Sequence, residues 1–71
     1  MSEIASTIKI MLRSQKRSQK QMAEALGVTE VTVSRWVKKR TEPNLDMAKK
    51  IATYLDTTVD SLITGEIKKG V

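Results

Sequence analysis

The 71-residue chain contains no cysteine, no histidine and no phenylalanine, a single proline, and two aromatic side chains, Trp36 and Tyr54. Without cysteine there can be no disulfide framework, and without cysteine or histidine the commonest zinc ligand sets and the commonest general base are missing together. Metal-dependent or nucleophilic catalysis is therefore a poor expectation, and neither a metal nor a cofactor is implied. Two aromatics are too few to build a platform on which single-stranded bases stack. The apolar runs are only a few residues long, far short of a membrane-crossing segment or the apolar part of a signal peptide, and a chain without cysteine suits a reducing compartment. A cytoplasmic protein with no membrane partner and no small-molecule substrate is expected.

A chain of this length makes one small domain, held by roughly 4–10 kcal/mol at the usual stability per residue. Most Leu, Ile and Val residues must then be structural, and function must lie on the surface. The surface charge is one-sided. Residues 9–40 carry nine Lys and Arg against Glu24 and Glu30, a net of +7, whereas residues 41–71 carry four against five, a net of −1. Such a basic segment attracts an anionic partner: nucleic acid, an anionic membrane or an acidic protein surface. A solvated helix surface is the competing explanation.

Ile4, Ile8, Met11 and Leu12 fall on one helical face and predict a first helix over residues 3–15, with Lys9, Arg13 and Lys16 on its outer side. Ser18, with Gln21 three residues later, reads as a capping box opening a second helix from about Gln19 to Leu26. Gly27 ends it, because the position after a helix often needs a positive φ. Further on, Pro43 and an Asn44 cap precede a fourth helix whose apolar positions are Leu45, Ala48, Ile51, Ala52 and Leu55. Asp56 can tolerate a left-handed turn, and Thr58 then caps a short fifth helix from about Val59 to Ile63, stopped by Thr64 and Gly65. A domain over residues 1–65 and a tail over 66–71 are expected.

The stretch "LGVTEVTVSRW", residues 26–36, is ambiguous. Its Val and Thr content suits a strand, yet Val33, Trp36 and Val37 also fit a helical face. Capping decides in favour of a helix: Thr29 is a good N-cap and Glu30 meets the positive end of the helix dipole. A lone strand, moreover, would leave its backbone groups without partners. The third helix then presents Glu30, Val31, Thr32, Ser34 and Arg35 as a candidate reading face. Ala23 and Gly27 suit the close approach and tight turn of two helices crossing at a steep angle, while Val33 and Trp36 fill the angle between them.

Taken together, "SQKQMAEALGVTEVTVSRW", Pro43 seven residues after Trp36, and "LDMAKKIATYLDTTVDSLI" resemble the Cro and phage-repressor type of helix-turn-helix family over about residues 4–64. The resemblance implies a compact, all-α, five-helix domain with the helix-turn-helix at helices two and three. It also implies a cytoplasmic transcriptional regulator of phage or prophage type, often dimeric, that inserts the third helix into the major groove of a double-stranded operator. By position, Thr29, Glu30, Val31, Thr32 and Arg35 match the base-reading residues, and Gln19 matches the glutamine that commonly bonds a phosphate. Arg35 can make a two-pronged bond to guanine, Glu30 can accept from the cytosine amino group, and Val31 or a Thr methyl can pack on the thymine methyl. Lys16, Arg17, Lys20, Ser34, Lys38, Lys39 and Arg40 would flank them as phosphate contacts. Departures from the family pattern are Arg17 for an apolar residue, Val37 for a glutamate, and Lys39 and Asp56 for glycines.

Several residues keep a second reading. Glu30 is either a cytosine reader or a helix-dipole residue, Trp36 is core or a stacking surface, and Arg35 contacts DNA or pairs within the chain. Tyr54, Thr57, Val59, Leu62 and Ile63 are the expected homodimer surface. The rival function keeps the fold but binds a repressor or toxin protein, as an antirepressor or antitoxin would; Val31 and Val37, if exposed beside Glu30, would suit such an interface.

Overall fold

The recurrence of Ile4, Ile8 and Leu12 at helical spacing is realised in the computed structural model, which describes residues 3–65, as the buried face of α1 (Ile4–Ser14). It is followed by α2 (Gln19–Leu26), α3 (Glu30–Val37), α4 (Leu45–Leu55) and α5 (Val59–Thr64). The fold is all-α, as the periodicity predicts, and the ambiguous stretch after Gly27 is helical. Among the described residues no helix is long and apolar enough to cross a membrane. The proposed tail, residues 66–71, lies outside the described residues.

Four helices begin at side-chain caps. Ser18 Oγ accepts from Gln21 N at 3.0 Å while Gln21 Oε1 accepts from Ser18 N at 2.8 Å, completing the capping box. Thr29, Asn44 and Thr58 each accept from the backbone N–H three residues on. Each such cap contributes about 1 kcal/mol and fixes where its helix starts.

The ends of α1 to α4 share one geometry. Lys16, Gly27, Lys39 and Asp56 all adopt left-handed backbone, with φ of 55°, 74°, 63° and 59°. In each case the next N–H closes back on the last turn: Arg17 N on Leu12 O, Val28 N on Ala23 O, Arg40 N on Arg35 O and Thr57 N on Ala52 O. This is the Schellman arrangement, and a side chain at its left-handed position is strained. Lys39→Gly is accordingly expected to raise stability by about 0.5–1 kcal/mol. The check is a higher urea midpoint with an unchanged m-value.

Ile8, Met22, Val33, Ile51, Leu55 and Leu62 form the fully buried centre of the core, which α1 and α4 join to the α2–α3 pair. Leu45, expected on the core face, is instead 62% exposed. It is the first residue of α4, and side chains tilt toward a helix's N-terminus, past the last layer of the core. Val37, which its spacing puts on the apolar face of the third helix and which only the rival protein-binding reading needs exposed, is half-buried and packed against the core. Thr7 is buried beside Ile4 and Ile8, a position that an apolar pattern passes over.

Candidate nucleic-acid interface

The turn at Gly27 and Val28 sets α3 across α2. Ala23 is buried, as the close approach requires, and Val33 and Trp36 are buried on the inner side of α3. Trp36 is therefore a core residue, not a stacking surface. Once Val33 and Trp36 face inward, helical geometry turns Val31, Ser34 and Arg35 outward, while Glu30 is exposed because it is the first residue of α3.

These four, with Gln19 from the start of α2 and Lys38 and Arg40 from the end of α3, line one open groove. Three cations and one carboxylate share it. Arg35 pairs with no carboxylate among the described residues, so its five donors are available to a ligand. Val31 is 59% exposed and stands as an apolar contact within the polar groove. Glu30 occupies the first turn of α3 and lines the groove as well, so its two readings, dipole residue and base acceptor, are compatible.

The other sequence-predicted residues are placed differently. Thr29 and Thr32 are joined to each other: Thr29 Oγ1 accepts from Thr32 N at 3.2 Å and lies 3.0 Å from Thr32 Oγ1. Thr29 therefore acts first as the cap that aims α3. Lys16 and Lys20 are exposed outside the groove lining. Lys39 borders a separate depression with Glu3, Trp36 and Glu42. Arg17, expected at phosphate, has an internal partner: its Nη1 donates to Tyr54 O at 2.9 Å and its guanidinium lies 4.6 Å from the Tyr54 ring centroid. Sequence reasoning missed this contact, although the replacement of an apolar residue by Arg17 was the signal for it.

Of the expected dimer residues, Tyr54, Thr57 and Val59 are half-buried and Ile63 is exposed. Leu62 must be removed from that set. It is 0% exposed and belongs to the core, so it can offer no surface to a partner.

The five helices and the outward face of α3 define a helix-turn-helix DNA-binding domain. A helix-turn-helix family model matches residues 8–62, and the chain belongs to that family. Among curated proteins it is similar to the HTH-type transcriptional activator BcrR of Enterococcus faecalis, at 36% identity over 49 residues. That match covers 69% of this chain and 24% of the relative, so the chain corresponds to about a quarter of that protein.

Among solved structures it is similar to the P22 c2 repressor in complex with a synthetic operator, with a TM-score of 0.84 and 24% identity, covering 93% of this chain and all of that one. This likeness establishes the repressor-type fold. A similar match, at TM-score 0.80 and 26% identity, is to FeII HppE, where 99% of this chain covers 38% of the other.

Proposed function

We propose that this protein is a sequence-specific regulator that binds a double-stranded operator with α3 in the major groove, as a homodimer, and represses by occupying the site. The observation that carries this reading is the groove itself. Arg35 and Val31 project from one helix face with Gln19, Lys38 and Arg40 around them. Bidentate donors and an apolar contact suit base edges, and the flanking cations suit phosphates.

One helix reads only a few base pairs, so useful specificity needs two copies on half-sites about 34 Å apart. Tyr54, Thr57, Val59 and Ile63, on the end of α4 and on α5, remain the proposed dimer surface. The P22 c2 repressor likeness is in keeping with repression, whereas the BcrR relative is an activator; a phage or prophage origin rests on the sequence resemblance alone. The groove serves either outcome, since both begin with operator binding. Nothing in this chain's residues calls for catalysis, a cofactor or a metal, and its site of action is the cytoplasm.

The rival reading, binding of a repressor or toxin protein, loses one of its supports because Val37 is packed against the core. The test is capture of fragmented genomic DNA from the source organism, followed by sequencing. A near-palindromic site should be enriched, with affinity falling steeply as salt rises. Capture of a stoichiometric protein partner that survives high salt, with no DNA enrichment, would establish the rival.

A further inference from the structure

Two side chains of the α1–α2 connection reach the far end of α4. Gln15 Nε2 donates to Leu55 O at 2.8 Å, and Arg17 Nη1 donates to Tyr54 O at 2.9 Å with its guanidinium 4.6 Å from the Tyr54 ring centroid. A helix leaves its last carbonyls without intrahelical partners and concentrates negative partial charge there, so a cationic donor is favoured at this end on both grounds. A planar guanidinium can stack by its face while donating in its plane, which an ammonium cannot do.

The positions joined are the informative part. Arg17 is followed directly by Ser18, which caps α2, and by Gln19, which lines the reading groove. Tyr54 and Leu55 are followed directly by Asp56, whose left-handed backbone turns the chain toward α5. The contacts therefore tie the first residues of the reading unit to the joint between α4 and α5. In a dimer formed through α5, that joint carries the orientation of each reading helix to the two-fold axis.

We infer that Arg17 and Tyr54 are positioning residues that set the spacing between half-sites which the dimer accepts, and that Arg17 is not a phosphate contact. This rests on the operator-binding dimer proposed above. Loosening the joint leaves each α3 with its own base contacts but lets the two reading helices sit at more than one separation. Half-site sequence preference is then retained while spacing preference is lost.

The experiment is selection from a pool of synthetic duplexes with a randomised central segment, using wild type, Arg17→Met, Arg17→Lys, Tyr54→Ala and Tyr54→Phe. Folding of each variant is verified by circular dichroism at the selection temperature. Wild type and Tyr54→Phe, which keeps both ring and carbonyl, should enrich two inverted half-sites at one spacing.

Arg17→Met and Arg17→Lys should enrich the same half-site, with discrimination against a one-base-pair change of spacing reduced about 3- to 10-fold, at the low end of the roughly 2- to 150-fold range that coupling between contacting residues spans; Tyr54→Ala, which also removes a residue of the proposed dimer surface, should lose spacing preference together with affinity for paired sites. The slope of affinity against salt of the two Arg17 variants should match wild type. If Arg17→Met keeps the single spacing, the inference is overturned; a salt slope reduced by about one ionic contact and restored by Arg17→Lys would make Arg17 a phosphate ligand after all. If wild type itself enriches no paired motif, the operator-binding dimer fails first and the inference falls with it.

Discussion

Arg35→Ala is expected to weaken binding to the enriched operator by about 1–3 kcal/mol, or roughly 5- to 150-fold, and to relax sequence preference at one position of each half-site. Arg35 is exposed, lines the groove together with Glu30 and Lys38, and pairs with no carboxylate among the described residues. Its removal therefore costs no packing and leaves no buried charge, and thermal stability should stay within about 0.5 kcal/mol of wild type. Arg35→Lys separates charge from shape. An ammonium keeps the attraction to phosphate but loses the two-pronged fork. Loss of base preference in Arg35→Lys with a wild-type salt slope identifies base reading. An equal drop on every sequence in Arg35→Ala, with the preference at each position intact, would make Arg35 a phosphate contact only.

Leu62→Ala is expected to destabilise the domain by about 2–5 kcal/mol, a large share of the roughly 4–10 kcal/mol that a chain of this size commands. Leu62 has no exposed surface and lies in the core cluster with Ile4, Ile8 and Leu55. It fastens α5, a helix of six residues that could not hold its conformation alone, to α1 and α4. Urea denaturation followed by tryptophan fluorescence gives the value, because Trp36 is buried in the same core. Ile63→Ser, on the exposed side of the same helix, should cost little stability and instead weaken dimerisation. A nearly neutral Leu62→Ala paired with a strongly destabilising Ile63→Ser would reverse this assignment of faces.

Helix positions were legible in the sequence because the punctuation is explicit. Ser18, Thr29, Asn44 and Thr58 are all side-chain caps, and each marks a helix start to the residue. Gly27 likewise marks the turn on which the reading unit depends. The course of residues 26–36 could be settled because Thr29 supplies a cap, even though the Val and Thr content favoured a strand.

Burial at helix ends was less legible. Leu45 and Leu62 have the same chemistry and both fall on helical patterns, but one begins a helix and overhangs the core while the other sits at its centre. Only the three-dimensional meeting of α1, α4 and α5 separates them. In the reading face, spacing alone brings together Glu30, Val31, Ser34 and Arg35. It does not reveal which lysines line the groove, since Lys38 and Lys39 are adjacent in sequence and border different depressions. Arg17 carries the same lesson: a cation in a basic run was expected to face an anion, and it caps a helix 37 residues away.

The claim that α3 and its flanks form the DNA-binding surface is tested most directly by titrating isotope-labelled protein with the selected duplex and following backbone amide shifts. Large, saturable changes should be confined to Gln19, to residues from Thr29 to Arg35, and to Lys38 and Arg40, and Arg35→Ala should reach them only at higher duplex concentration, in line with its roughly 5- to 150-fold weaker binding. Shifts confined to α5 and the end of α4, or a spectrum unchanged by any duplex, would contradict it.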